Sequence, residues 1–211
     1  MALLLLVVLA AGCGGGDDDA DGGEVTTPVT ECQDVEAPEP REPGTNEAPS
    51  GTLVEPHALV FDTNCGTFTV ALDLQSAPET AASLVALAES GYFDDTVFHR
   101  VVPGFVIQGG DPTQTGSGGP GYSTVDAPAS DAKYTKGVVA MAKSGAEGPG
   151  TSGSQFFVVS GEDAGLPPDY AIVGAVTEGI DTVERIDALG VGDGPPSQTV
   201  VVNSVTATQT G

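Results

Sequence analysis

The chain has 211 residues, enough for one domain of ordinary size with appendages, and no tryptophan. Its 30 acidic residues stand against 6 lysines and arginines, for a formal net charge of -24. Such a charge repels phosphates, which argues against nucleic acid or an anionic membrane surface as a partner and otherwise serves solubility.

Leu3 to Ala11 form an apolar run too short to span a bilayer, and Gly12 and Cys13 follow it. Residues 1–12 are expected to be a signal peptide. The ending Leu9-Ala10-Ala11-Gly12-Cys13 resembles the lipobox of bacterial lipoproteins, in which the cysteine is acylated and becomes the new N-terminus. Ala10 stands where leucine is usual, and no Lys or Arg precedes the apolar run. The resemblance implies lipidation at Cys13 and an extracytoplasmic protein anchored to the bacterial cell membrane; an ordinary cleaved secretory signal is the alternative.

Residues 13–55 are expected to form an acidic tether. Asp17, Asp18, Asp19 and Asp21 open it, seven glutamates and Asp34 follow, and Arg41 is the single base. Prolines recur at Pro28, Pro38, Pro40, Pro43 and Pro49, and apolar residues are too scattered to bury, which predicts disorder. A coil of roughly forty residues reaches about 35 Å. Asp17 to Gly22 matches the first half of a calcium loop, but Pro28 occupies the twelfth position, where the bidentate glutamate belongs, so no metal is assigned.

If Cys13 carries lipid, Cys32 and Cys65 remain as a pair in an oxidising compartment. A disulfide between them would close a loop of about thirty residues and stabilise by roughly 3 to 4 kcal/mol. Two free thiols are the alternative. Neither cysteine sits in a metal-ligand or catalytic-thiol pattern.

A domain is expected from Pro56 to the end of the chain, residues 56–211. Phe68, Val70 and Leu72 alternate with Thr67, Thr69 and Ala71, a half-buried strand. Further strands are predicted over Ala58–Asp62, Val97–Val102, Phe105–Gln108, Val138–Ala142, Phe156–Val159, Ala171–Val176 and Val200–Thr206. Many short strands point to a sandwich or a closed barrel. Two segments read as helices. The first has Ser76 as N-cap, Glu79 three residues on, an apolar face of Leu84, Val85, Leu87 and Ala88, and Gly91 at its end. The second places Asp181 and Glu184 in the same capping relation, with Val183, Ile186 and Leu189 apolar. Such helices suit the two ends of a barrel. No internal repeat is visible.

The most informative stretch is Phe98 to Asp111, FHRVVPGFVIQGGD, followed by Ser152 to Val159, SGSQFFVV. Together they set one arginine among apolar and amide side chains, with no nucleophile, metal cluster or phosphate loop. A fixed cation beside an apolar pocket suits a reaction that breaks no covalent bond, such as rotation about a prolyl peptide bond. Both motifs, with GYFDDTVFHR before and AIVGAVTEGIDTVERI after, resemble the signature of the cyclophilin family of peptidyl-prolyl cis-trans isomerases over Ala58 to Thr206. The resemblance implies a mainly β fold, a closed eight-stranded antiparallel barrel capped by two helices, and no cofactor.

Carried over residue by residue, the resemblance puts the catalytic arginine at Arg100. It puts the proline pocket at Phe105, Val106, Phe157 and Leu166, with Gln108 binding the substrate backbone. Ala142 and Gln155 match groove residues, and His99 the histidine before the arginine. Lys143 stands where many members carry asparagine, and Tyr170 where many carry histidine. Gly165 or a neighbour replaces the tryptophan that lines the cyclosporin site, which implies weak binding of that ligand. The implied partners are proline-containing peptides and unfolded exported proteins, met by a monomer held at the membrane through Cys13.

Each residue also has a plainer role open to it. Arg100 could pair with a carboxylate, Phe156 and Phe157 could be core, and His99 could be structural. Gly109, Gly110 and Asp111 read as a tight turn, since no helix follows to make an anion site. A proline-binding module without turnover is the main rival to an enzyme. A solute-binding lipoprotein is a weaker one, because the chain lacks a two-lobed α/β pattern.

Overall fold

The computed structural model describes residues 31–210. The predicted leader, Cys13 and the acidic run from Asp17 lie outside the described residues. In chain order the elements are β1 (His57–Thr63), β2 (Gly66–Leu72), α1 (Pro78–Glu89), β3 (Thr96–Val97), β4 (Arg100–Val102), β5 (Val106–Gly109), β6 (Thr124–Val125), β7 (Val138–Met141), β8 (Thr151–Ser152), β9 (Phe156–Val159), β10 (Ile172–Glu178), α2 (Ile180–Asp187) and β11 (Val201–Gln209).

Nine of the strands form one curled, half-barrel sheet in the order β3-β11-β1-β2-β10-β7-β9-β5-β4, with every neighbouring pair antiparallel. The expected count of eight becomes nine because the predicted strand Val97–Val102 divides. Phe98 donates its N–H to Val200 O, and the chain then leaves β11 to open β4 at the opposite edge of the sheet. No ladder pairs β3 with β4 among the described residues. Strands β6 and β8, two residues each, pair separately and are too short to leave a periodic trace in the sequence.

The helices are where the sequence places them, but neither cap is as predicted. Helix α1 begins after Ala77 with Pro78 in its first turn and no side-chain cap of its own. Asp126, from a distant loop, accepts hydrogen bonds from the N–H and Oγ1 of Thr80 (both 2.7 Å) and serves one orphan N-terminal N–H instead. The Ser76 N–H is held by Asp73 Oδ1 in the turn before the helix. Helix α2 starts after Gly179, which is left-handed at φ 74°. Asp181 and Glu184 are thereby freed from capping and pair with Arg185 and Lys136 (2.7 and 2.6 Å). The predicted apolar face of α1 is buried throughout.

The main core lies inside the sheet's curl. Phe61 stacks on Phe68 with ring centroids 4.7 Å apart, and Phe156 meets Phe61, Phe93 and Phe98 edge-on or tilted.

Residues 31–55 correct the expectation of a free tether up to Glu55. They run extended along the domain as a strap: Gln33 N–H donates to Asn64 O, Arg41 N–H to Pro112 O, Gly44 N–H to Gly119 O and Asn46 N–H to Pro120 O, all at 2.8 to 2.9 Å. Leu53 packs on the core, and Cys32 is joined to Cys65 by a disulfide. Proline holds an extended backbone without needing an N–H partner, so a proline-rich segment suits a strap once an anchor fixes it. Closing a loop across a sequence separation of 33 makes that anchor worth roughly 3 to 4 kcal/mol. Reduction, or Cys32→Ser with Cys65→Ser, is therefore expected to lower Tm by roughly 6 to 12 °C in a thermal melt.

Candidate active site

The period of a strand separates the two motifs onto two faces of the sheet. Val101, Ile107, Phe156 and Val158 enter the main core. Their neighbours Arg100, Gln108 and Phe157 face the other way, and the register aligns them: Arg100 lies opposite Gln108, Gln108 opposite Phe157, and Phe157 opposite Ala140. One row across β4, β5, β9 and β7 therefore carries a cation, an amide and an aromatic ring. The doublet at 156 and 157 splits: Phe156 is core, and Phe157 belongs to the site.

The polar half of the site is a chain of hydrogen bonds. Arg100 Nε and Nη2 donate to the two carboxylate oxygens of Asp193 (2.5 and 3.2 Å), and Nη1 donates to Gln108 Oε1 (3.2 Å). Gln108 Nε2 donates to Gln155 Oε1 (3.1 Å), and Gln155 Nε2 to Gly118 O (2.9 Å). The fork of the guanidinium is thus set by two partners within the chain. The hydrogen bond from Arg100 and its charge hold the Asp193 carboxyl below its ordinary value. Asp193 escaped the sequence motifs because it is 93 residues from Arg100. What brings it there is a backbone bridge, with Val101 N–H donating to Gly194 O at 2.8 Å.

The apolar half is a second cluster, distinct from the main core. Val106, Tyr134, Ala140, Phe157 and Val159 are buried in it, and Phe105, Ala142, Leu166 and Tyr170 pack against it half-buried. All four predicted pocket residues therefore meet in one cluster. Phe105 is set by the turn Val102-Pro103-Gly104-Phe105, closed by its N–H on Val102 O (3.0 Å). The third residue of that turn is left-handed, and Gly104 at φ 70° supplies it. Asp187, at the end of α2, accepts the Gly104 N–H (3.0 Å) and Ser160 Oγ (2.6 Å), which ties the turn to the helix.

Tyr170 stands behind the pocket. Its ring meets that of Phe157 edge-on at 5.6 Å, and both its N–H and C=O are bonded to the Tyr134 hydroxyl (3.0 and 2.8 Å). Tyr134, buried and unmarked by any motif, is thus the prop for two site residues.

Beside the row opens a groove of about 770 Å³, lined by Gln108, Gln155, Ala142 and the loop Gly116–Ser123. Asp111, fully buried, shapes that loop. Its carboxylate accepts from the N–H groups of Thr113, Thr115, Gly116 and Gly118 and from Thr113 Oγ1, at 2.7 to 3.1 Å. Gly109 belongs to β5 instead of the expected tight turn, and the turn lies further on, closed by Gln114 N–H on Asp111 O (3.2 Å), so that Asp111 opens it and organises the groove wall. Lys143 borders the groove, but its side chain is 4% exposed and its ammonium is held by Asp169 (2.6 Å) and Glu147 O (3.1 Å), 5.6 Å from the Tyr170 ring. It braces the wall instead of presenting a free charge.

His99 is the predicted site residue that lies in neither the row, the apolar cluster nor the groove lining. It lines a separate cavity of about 200 Å³ with Ala37, Gln114, Pro195 and Pro196. Neither ring nitrogen has a hydrogen-bond partner among the described residues. Burial lowers its pKa from 6.5 and the Arg100 charge lowers it further, against the opposing pull of Asp111.

Residues 58–207 match the family model described as cyclophilin type peptidyl-prolyl cis-trans isomerase/CLD. The chain is 38% identical over 177 residues to a probable peptidyl-prolyl cis-trans isomerase A of Mycobacterium leprae, covering 74% of this chain and 95% of that one. It is 40% identical over 132 residues to a peptidyl-prolyl cis-trans isomerase-like 1 protein of Emericella nidulans, covering 61% and 80%. The crystal structure of a cyclophilin type isomerase from Cryptosporidium parvum superposes with a TM-score of 0.67 at 30% identity, over 74% of this chain and 99% of that one. A second structure of that protein, in the presence of the dipeptide Ala-Pro, gives 0.66. With its arginine, amide and apolar row on such a sheet, the chain belongs to the cyclophilin-type peptidyl-prolyl cis-trans isomerase family.

Proposed function

We propose that this isomerase assists the folding of exported proteins, that Arg100 carries its catalysis, and that it works as a monomer held outside the cytoplasm by lipid on Cys13. The observation that carries the mechanism is the guanidinium fixed by Asp193 and Gln108 in the row that continues to Phe157 of the apolar cluster. Amide resonance holds a prolyl bond behind a barrier of about 18 to 20 kcal/mol. In the twisted transition state that resonance is lost, and the prolyl nitrogen gains a lone pair. A permanently charged donor stabilises the lone pair more than the planar ground state, and that difference is the catalysis.

The apolar cluster has a separate task. It buries the pyrrolidine ring so that one side of the bond stays still, and Gln108 offers its amide to the peptide backbone. The chemistry uses no acid, base, metal or organic cofactor. The two-residue link Phe98-His99 between the edge strands β3 and β4 supports a barrel closed through the chain itself.

The substrate class is tested by refolding. A disulfide-free exported protein whose slow phase is prolyl isomerisation should refold faster in the presence of this protein, and an unchanged slow phase would contradict the reading. The anchor rests on the LAAGC sequence. Cys13→Ser should release the protein from the membrane fraction, whereas retention would contradict a lipid anchor.

The pH dependence follows from His99, the group nearest Arg100 that titrates near neutrality. Its pKa is depressed below 6.5, so it stays neutral above that pH. We expect kcat/KM to be flat between about pH 6.5 and 8.5. The neutral, buried form contributes stability that is present above the unfolded pKa and lost as pH falls through the folded one. A bell-shaped profile centred near neutrality would instead indicate an acid or base in the mechanism.

A further inference from the structure

We propose that the strap is part of the substrate site: Pro43 and Gly44 form a rim of the groove that grips residues flanking the substrate proline. This rests on the isomerase reading above and adds a specificity element from outside residues 58–207, the span matched by the family model.

Pro43 and Gly44 line the same groove as Gln108, Ala142 and Gln155. Those three connect it to the reacting centre, because Gln108 holds Arg100 and Ala142 packs on the apolar cluster. A peptide whose proline lies on Phe105 and Phe157 and which passes Gln108 therefore enters the groove with its next residues. The opposite wall there is the loop Gly116–Ser123, and the strap is fastened to that loop by backbone bonds from Gly44 to Gly119 and from Asn46 to Pro120 (both 2.9 Å).

The approach is close enough that a Cβ on Gly121 would lie 2.7 Å from Gly44 O. Two side-chain clamps set the strap's position without touching the groove. Arg41 Nη2 donates to the carbonyls of Tyr92 and Asp94 (2.5 and 2.9 Å), and Gln114 Nε2 donates to Pro38 O (2.8 Å). With the Cys32–Cys65 disulfide upstream and Leu53 on the core downstream, the rim is a span held at both ends.

The test uses the full chain and two peptides, a tetrapeptide containing Ala-Pro and a proline-containing peptide of about ten residues. In Arg41→Ala with Gln114→Ala the rim loses both side-chain clamps and is held only by its backbone bonds and end anchors. KM for the long peptide should rise about fivefold, which is about 1 kcal/mol, with kcat unchanged and the tetrapeptide constants unchanged. Unchanged constants for both peptides, or equal losses on both, would overturn the proposal.

A second readout does not depend on turnover or on that variant. The chain has no tryptophan, so Pro43→Trp places a single reporter on the rim. Its emission should shift on saturation with the long peptide and stay constant with the tetrapeptide. A reporter that ignores a bound long peptide also overturns the proposal. If the wild-type protein fails to isomerise either peptide, the isomerase reading falls, while the reporter still decides whether the strap meets the ligand.

Discussion

Arg100→Ala should lower kcat/KM for an Ala-Pro peptide between a hundredfold and a thousandfold in a protease-coupled assay. In the proposed mechanism the guanidinium meets a lone pair that exists only in the twisted state, and a fixed donor of this kind would be worth about 3 to 4 kcal/mol, at roughly 1.36 kcal/mol per decade. The protein should remain folded, because the side chain lies on the outer face of the sheet and its partners Asp193 and Gln108 are exposed or half-buried. Peptide affinity should be largely retained, since the apolar cluster and Gln155 are untouched. Asp193→Asn keeps the shape and removes the charge that orients the fork, so its effect should be a smaller loss confined to kcat. A wild-type rate in Arg100→Ala would remove the arginine from the mechanism.

Asp111→Ala should be the most damaging single change to the groove, lowering stability by about 3 to 5 kcal/mol in urea unfolding and raising KM for any peptide that still binds. The carboxylate is fully buried and accepts five hydrogen bonds, four from backbone N–H groups of the loop it closes. Alanine leaves those donors unpaired. Burial raises its pKa, but the bonds from Thr113, Gly118 and Gly116 outweigh burial and leave it below 3.8. A depressed carboxyl contributes stability above the unfolded value and loses it as pH falls through the folded one. The deficit of Asp111→Ala relative to wild type should therefore be full at neutral pH and shrink only below about pH 4. A deficit under about 1 kcal/mol would show that the loop keeps its shape without the carboxylate.

Arg100, Gln108 and Phe157 were legible because each sits in a short motif and strand periodicity carries side chains two apart to one face. The register between strands, which makes them one row, depends on pairings that no local pattern records. Asp193 and Tyr134 act through contacts 93 and 36 residues away, Asp193 between two glycines and Tyr134 in the loop before β7. His99 was assigned by its place beside Arg100, yet adjacent residues point apart, and its ring enters another cavity.

The strap shows the opposite failure. Its composition, proline-rich, acidic and poor in apolar residues, describes a chain that cannot fold by itself. Order there comes from the domain: a disulfide at Cys65, carbonyls at Pro112, Gly119 and Pro120, and the clamp on Arg41. The helix caps erred for a similar reason. Ser76 and Glu79 have the right spacing, but the Thr80 N–H is taken by Asp126, 46 residues further along the chain.

The most direct test of the central claim measures binding and turnover on one sample. Two-dimensional NMR exchange on an Ala-Pro peptide should show cis-trans cross-peaks in the presence of the wild-type protein. With Arg100→Ala the cross-peaks should vanish while peptide shifts still report binding. Cross-peaks that persist in the variant, or a wild-type protein that binds without exchange, would contradict an isomerase working through Arg100.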